Sequence, residues 1–105
     1  MYRQGDILII PVPDGELPQE AVALPADDGR VVLARGEATG HAHAVAASSA
    51  TLFDIGLGDA ERMLQLVKPA PLHHEEHGTI QLPAGLYRVR RQREYTPHYN
   101  RVVVD

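Results

Sequence analysis

The sequence contains no cysteine. This absence excludes a disulfide scaffold, a thiolate iron–sulfur site, a Cys-type zinc finger and a cysteine nucleophile, so any metal site must use nitrogen and oxygen ligands. Long apolar runs are also missing, because the first, residues 7–10, ends at Pro11. That run is too short for a signal-peptide core or a membrane span. We therefore expect a cytoplasmic protein that does not enter a membrane.

The chain is short and acidic, but its charge is unevenly distributed. Its 105 residues are 44% hydrophobic and 23% charged, which predicts one soluble domain over residues 1–105. The formal net charge is −4, yet five arginines face only two acidic residues from Arg88 onward. The overall acidity argues against non-specific binding to nucleic acid, which depends on many phosphate-neutralising cations. A local site for an anion or an acidic partner remains open.

Glycine and proline are spread along the chain and cut it into pieces too short for long helices. This pattern predicts an all-β fold, a small barrel or a two-sheet sandwich of about seven or eight short strands. Residues 17–24 allow at most one short helix. Residues 60–68 fit either a helix capped by Asp59 or a hairpin strand, and their short length favours the strand. The other predicted strands are 6–12, 30–35, 41–47, 50–55, 79–82, 86–95 and 101–105.

Five of the six histidines fall in two short stretches, residues 41–43 and residues 73–77. In a strand, residues two apart point to the same side, so His41 and His43 can converge on one cation. Catalytic metal sites commonly use three protein ligands and a water molecule, and the second stretch can supply the rest. An extended segment cannot turn both His73 and His74 inward. We predict His74 and His77, because Gly78 permits the turn that brings them to one side.

The predicted cofactor is a divalent transition metal bound by nitrogen and oxygen: Zn, Fe(II), Mn, Ni and Cu are all admissible. Glu37, Glu75 or Glu76 can orient an imidazole or act as a general base on metal-bound water. Glu75 is the predicted catalytic residue, because candidate ligands flank it on both sides. The alternative is that both histidine stretches are ordinary solvated or hydrogen-bonded segments.

The sequence resembles a family of small uncharacterised proteins of bacteria and their phages. The resemblance is carried by RQGDILIIPV near the start, GEATGHAHAV at 36–45, HEEHGTIQLPAG at 74–85 and YRVRRQREYTP at 87–97. These segments cover most of the chain. The resemblance implies one intact domain in which both histidine stretches matter, and it implies no particular reaction.

A partial resemblance links the chain to cupins, metal-binding β-barrels with an HxH pair and a later PxG turn. His41 and His43 match the pair, and residues 83–85 match the turn. The resemblance implies a cupin-like metalloenzyme that activates metal-bound water or dioxygen. The chain departs from the cupin pattern in two places: no glutamate follows His43 at the short cupin interval, and residues 86–90 contain no histidine. These departures put the remaining cupin ligands in doubt.

The strand predicted over residues 86–95 is rich in arginine and tyrosine. Arginine pairs bidentately with phosphate and carboxylate, and tyrosine offers a stacking surface. We predict Arg91, Arg93 and Tyr95 as the residues that bind a small-molecule or anionic substrate. The alternative function is a non-enzymatic interaction module in which residues 87–101 bind an acidic partner or nucleic acid. The Val-rich end can also pair with a second copy, which leaves a homo-oligomer open.

Overall fold

The structure is a computed structural model that describes residues 1–36, 39–95 and 100–102. Within these ranges the chain forms twelve strands and no helix, which confirms the all-β prediction. The strands are β1 (Tyr2–Gln4), β2 (Ile7–Pro11), β3 (Val22–Ala23), β4 (Arg30–Arg35), β5 (Ala42–Ala46), β6 (Ala50–Asp54), β7 (Glu61–Leu66), β8 (Ala70–Leu72), β9 (Ile80–Leu82), β10 (Gly85–Arg91), β11 (Arg93–Tyr95) and β12 (Asn100–Val102).

The largest sheet has six antiparallel strands in the order β1–β2–β10–β7–β6–β3. Its inner face follows the two-residue alternation of a strand: Ile7 and Ile9 are buried, whereas the residues between and after them are only partly buried. Val89 lies opposite Ile9, and Tyr87 lies opposite Leu64, so β10 and β7 extend the same apolar face. Each fully buried aliphatic side chain stabilises the fold by roughly 1.5–3 kcal/mol.

A second layer covers this face. β4 pairs with β5, β8 pairs with β9, and an isolated bridge between Ala44 and His73 joins the two pairs. Leu33, Leu72 and Leu82 from this layer are fully buried in one core with side chains of the large sheet. The described strands are therefore sandwich-like rather than a closed barrel, which decides between the two predicted architectures.

The structure has more strands than the seven or eight that the sequence predicts, because several are short and one divides. The strand predicted over 86–95 ends at Arg91, and a new strand begins at Arg93. The Gln92 amide continues the β2 register by one position, donating to the Asp6 carbonyl at 2.7 Å, and β11 then pairs with β12 instead of β2. A side-chain pattern does not reveal this change of backbone partner.

The two uncertain segments are both resolved in favour of strand. Residues 61–66 form β7 in the middle of the large sheet, as their short length predicts. Residues 17–24 contain no helix; Val22–Ala23 pairs with the end of β6 at the sheet edge. Pro18 and Pro25 leave too few residues between them for a stable helix.

Within the described ranges, no helix has the length and apolar character needed to cross a membrane. Some sequence-based predictions fall elsewhere. Glu37 lies outside the described residues, and so do the last three residues of the predicted terminal strand, 103–105.

Candidate metal centre

The two histidine stretches are neighbours in the fold. Ala44, directly after His43, exchanges two backbone hydrogen bonds of 2.9 Å with His73. This bridge sets β5 beside the segment that follows β8, so residues 41–43 lie against residues 73–77. The convergence that the metal prediction requires is present in the backbone.

Four imidazole rings gather at this bridge, and we call them the histidine cluster: His41, His43, His74 and His77. The ring centre of His74 lies 5.7 Å from that of His41, 4.4 Å from His43 and 4.5 Å from His77. The rings of His43 and His77 are nearly parallel, with centres 6.1 Å apart. Imidazoles that share a tetrahedral ion have ring centres about 5 Å apart when metal–nitrogen bonds are about 2.0 Å long. The distances closest to this value all involve His74, whereas the His43–His77 distance is longer.

Gln4 fixes the protonation of His43, which is completely buried. The Gln4 side-chain amide donates two 3.0 Å hydrogen bonds, to the carbonyl oxygens of Leu72 and Gly78. Its Oε1 therefore faces Nδ1 of His43 at 2.8 Å, where it can only accept. His43 must carry a proton on Nδ1, so the lone pair of a neutral ring is on Nε2. In metal sites, hydrogen-bond acceptors that do not themselves touch the metal orient the ligating imidazoles in this way.

The Nε2 atom of His43 faces a buried carboxylate. Asp6 Oδ1 lies 3.3 Å from it, and neither side chain is exposed to solvent. A neutral imidazole lone pair and an ionised carboxylate repel each other, so either a proton or a metal ion is required between these two atoms. A proton shared in a charge-assisted hydrogen bond usually gives a separation of about 2.7–2.9 Å. Two ligands of one ion at about 2.0–2.2 Å lie roughly 3.3–3.6 Å apart, which is closer to the observed distance.

His74, not His73, lies in the cluster, and its predicted role as a metal ligand stays a prediction. His74 is 2% exposed, whereas His73 is exposed and lies 3.4 Å from the Thr79 hydroxyl. The Nδ1 atom of His74 accepts hydrogen bonds from the backbone amides of Glu76 and His77, at 3.0 and 3.2 Å. A neutral His74 therefore carries its proton on Nε2. In this arrangement the Nδ1 atom of His74 stabilises the 74–77 turn, and its Nε2 carries an N–H donor. A metal ligand needs a lone pair at that position instead.

His41 and His77 are at the rim of the cluster and are only partly buried. His41 Nδ1 lies 3.3 Å from Glu76 Oε1, a second nitrogen–oxygen pair at the spacing seen for His43 and Asp6. Across the part of the chain that the structure describes, no three His, Cys, Asp or Glu side chains form a group that could hold a metal ion as they stand. Rotation of the rim imidazoles would be needed to complete a coordination shell.

Glu75 clamps the two stretches together. Its carboxylate accepts from the Ala42 amide, with distances of 3.0 and 3.3 Å to the two oxygens. The Ala42 amide and its own amide hold the pKa of the Glu75 carboxyl below its usual value, and the charges of His74 and His41 add to this shift. A lowered pKa makes Glu75 a weaker base. Its catalytic role remains a prediction, and its observed contact is structural.

The predicted substrate-binding arginine, Arg91, is used inside the protein. Its side chain is 8% exposed, its Nε donates to Asp6 Oδ2 at 2.9 Å, and its NH2 group donates to the Arg35 carbonyl at 2.7 Å. Asp6 therefore links Arg91 to His43. The backbone of Arg93 and Tyr95 lies in β11, and their side chains lie outside what the structure describes. Their substrate-binding role and the interaction module stay predictions.

Sequence reasoning missed Gln4 and Asp6 as part of the site. They flank Gly5, whose φ of 58° makes the tight turn between β1 and β2, and both are buried. The available signal was the polar RQGD segment immediately before an apolar strand. Polar side chains that precede a buried strand need internal partners if they are buried with it.

Comparison with protein-family models matches residues 3–92 to a domain of unknown function, DUF8820. The chain belongs to this family. The matched region of this DUF8820 domain contains both histidine stretches and the Gln4–Asp6 turn, and it agrees with the predicted membership of a family without an assigned reaction. No curated protein and no solved structure matches the chain. The cupin resemblance remains a prediction.

Proposed function

We propose that this DUF8820 domain binds one divalent transition metal ion in the histidine cluster. Asp6 and His43 are the buried ligands, and His41 and His77 complete the set from the rim. His74 is a positioning residue that shapes the turn carrying His77. The admissible ions are those with a preference for nitrogen and oxygen: Zn, Fe(II), Mn, Ni and Cu.

The pair formed by His43 Nε2 and Asp6 Oδ1 carries this proposal. Gln4 directs the His43 lone pair toward Asp6, both side chains are fully buried, and the 3.3 Å separation suits two ligands of one ion. Arg91 compensates the Asp6 charge at Oδ2, but two acceptors facing each other at Oδ1 and Nε2 would still be costly where no solvent screens them.

The geometry supports a site that holds a metal better than one that turns over a substrate. The two surface cavities described by the structure have volumes of about 540 and 410 Å³, and no histidine lines either of them. In a catalytic version, Glu75 would act as the base on metal-bound water, but its carboxylate is engaged by the Ala42 amide. We therefore propose that the ion fastens the 73–77 segment to β5.

The test is zinc binding by untagged protein that has first been stripped with a chelator. We expect one Zn²⁺ per chain by isothermal titration calorimetry and a higher melting temperature with zinc. His41→Ala and His77→Ala should each weaken binding at least tenfold, because each removes a ligand from a site of about four. Both side chains are partly exposed, so these variants should still fold.

His73→Ala is the matched control, since it removes an exposed histidine from the same segment and should leave zinc affinity unchanged. Absence of zinc binding, or binding that the rim variants do not weaken, would overturn the proposal. Nitrogen NMR of His43 in the stripped protein gives an independent reading. Two protonated ring nitrogens there, together with no zinc uptake, would identify a buried imidazolium–carboxylate pair instead.

A further inference from the structure

A second polar site is on the far side of Asp6 from the histidines. It is the cavity of about 410 Å³ between β4 and the ends of β7 and β10, and we call it the arginine pocket. Three arginines and two aspartates contribute to its lining: Arg35, Arg62, Arg91, Asp27 and Asp59. The pocket thus carries one more positive than negative charge, on a chain whose net charge is −4.

Arg62 is a partly buried cation of the pocket. It lies opposite Val89 in the register of β7 and β10, which directs it to the inner face of the large sheet. Its guanidinium donates to the Leu33 carbonyl across the layers. Its Nε–H is buried and has no hydrogen-bond partner among the described residues. Burial lowers the pKa of Arg62, so the charge is held at a cost that a bound anion would reduce.

The two other guanidiniums also retain donors at the pocket. Arg91 directs its Nε and NH2 groups to internal acceptors, but its NH1 lies 3.8 Å from Asp59 Oδ2, beyond hydrogen-bonding distance. Arg35 pairs with Asp27 at 2.5 Å, and both side chains are about half exposed or more. An exposed pair of this kind contributes little to stability, so a ligand can replace the aspartate.

We infer that the arginine pocket binds a small molecule through a phosphate or carboxylate group, with Arg62 and Arg35 as the principal donors and Asp27 as the competing internal anion. Guanidinium forks match the oxygens of these groups bidentately, and the cavity volume is within the range of small-molecule sites. The principal donors, Arg35 and Arg62, are not among the proposed metal ligands, although Arg91 links the pocket to Asp6.

The test uses inorganic phosphate and succinate as separate probes, with the full chain first stripped of metal by a chelator that is then removed, so that neither metal nor chelator plays a part. Binding is followed by NMR shifts of the backbone amides of residues 32–35. We expect saturable binding of at least one probe, and the probe that binds identifies the anionic group. Arg35→Gln should weaken binding roughly tenfold, which corresponds to one charge-assisted hydrogen bond.

Two further variants make the result decisive. Asp27→Asn removes the competing carboxylate and should tighten anion binding several-fold, whereas a site for a cation would respond in the opposite direction. Arg62→Met should abolish binding; if it fails to fold, Arg35→Gln and Asp27→Asn still decide. Arg88→Gln is the control for general charge, because Arg88 is exposed on the outer face of β10. Failure of both probes to bind, or equal effects of Arg35→Gln and Arg88→Gln, would overturn the inference.

Discussion

The histidine cluster and the arginine pocket are two polar regions with opposite needs. The cluster and the carboxylates beside it supply mainly lone pairs, so hydrogen-bond acceptors outnumber donors there. The pocket brings together guanidiniums, so its surplus is of donors. Asp6 lies between them, with Oδ1 facing His43 and Oδ2 accepting from Arg91. One buried carboxylate therefore touches both regions: Asp6 faces His43 of the proposed metal site and pairs with Arg91 of the proposed anion pocket.

Removing the shared carboxylate should have the largest effect on both regions. Asp6→Ala leaves the Arg91 guanidinium without its buried partner. It also removes the carboxylate that faces His43. Breaking a buried ion pair costs about 3–5 kcal/mol, so we expect the free energy of unfolding to fall by about that amount. Urea denaturation in the presence of a chelator measures this change without a contribution from metal.

Asp14→Ala is the control for the loss of an aspartate, because Asp14 is exposed in the turn after β2. A loss below about 1 kcal/mol for Asp6→Ala, the range of an exposed pair, would show that Asp6 does not hold the two regions together.

A substitution at Gln4 should perturb the histidine cluster without changing the arginine pocket. Gln4→Leu leaves the carbonyls of Leu72 and Gly78 and the Nδ1–H of His43 without their partner. Unsatisfied buried groups cost about 1–3 kcal/mol each, with partial relaxation, and we expect a total loss of about 2–4 kcal/mol. Zinc affinity should fall as well, since the His43 tautomer is no longer fixed, while anion binding in the arginine pocket should persist.

Gln81→Leu on β9 is the matched control, because Gln81 is exposed. Equal losses of stability for Gln4→Leu and Gln81→Leu would show that Gln4 does not support the histidine cluster. A loss of zinc binding with anion binding unchanged would show that Gln4 supports the histidine cluster and not the arginine pocket.

The sequence was informative where chemistry follows from local pattern. Alternation places Tyr87 and Val89 on the same face of their strand, and both are buried in the structure. The two-residue spacing of His41 and His43, and the choice of His74 over His73, also agree with the cluster that the structure shows. These features depend on the geometry of one strand or one turn.

Features that depend on the pairing of distant segments were not readable. Nothing local to Asp6 shows that it meets both β5 and β10, because those contacts arise from the strand order of the sheet and the placement of the second layer. Arg91 was interpreted as a ligand-binding residue for the same reason: a strand pattern gives its face, but not the carboxylate 85 positions away that occupies it. Partners of buried charges are set by topology.

The smallest expected effect distinguishes the clamp at Glu75 from the buried network. Because the folded state lowers the pKa of the Glu75 carboxyl, ionisation favours folding above its ordinary value near 4.5, and that contribution is lost as the pH falls through the acid range. Glu75→Gln keeps an oxygen for the Ala42 amide but removes the charge. We expect a slightly lower melting temperature at pH 7 and a flatter decline between about pH 5 and pH 3, measured with chelator present.

Glu20→Gln is the control, since Glu20 is exposed in a loop with no resolved shift in its pKa. An unchanged acid profile for Glu75→Gln would mean that the carboxylate does not fasten the 73–77 segment to β5. In that case the Ala44–His73 bridge, the Gln4 hydrogen bonds and the buried rings would hold the two histidine stretches together. The fastening role proposed for the metal ion would then gain weight, because that role would have no carboxylate clamp to share it.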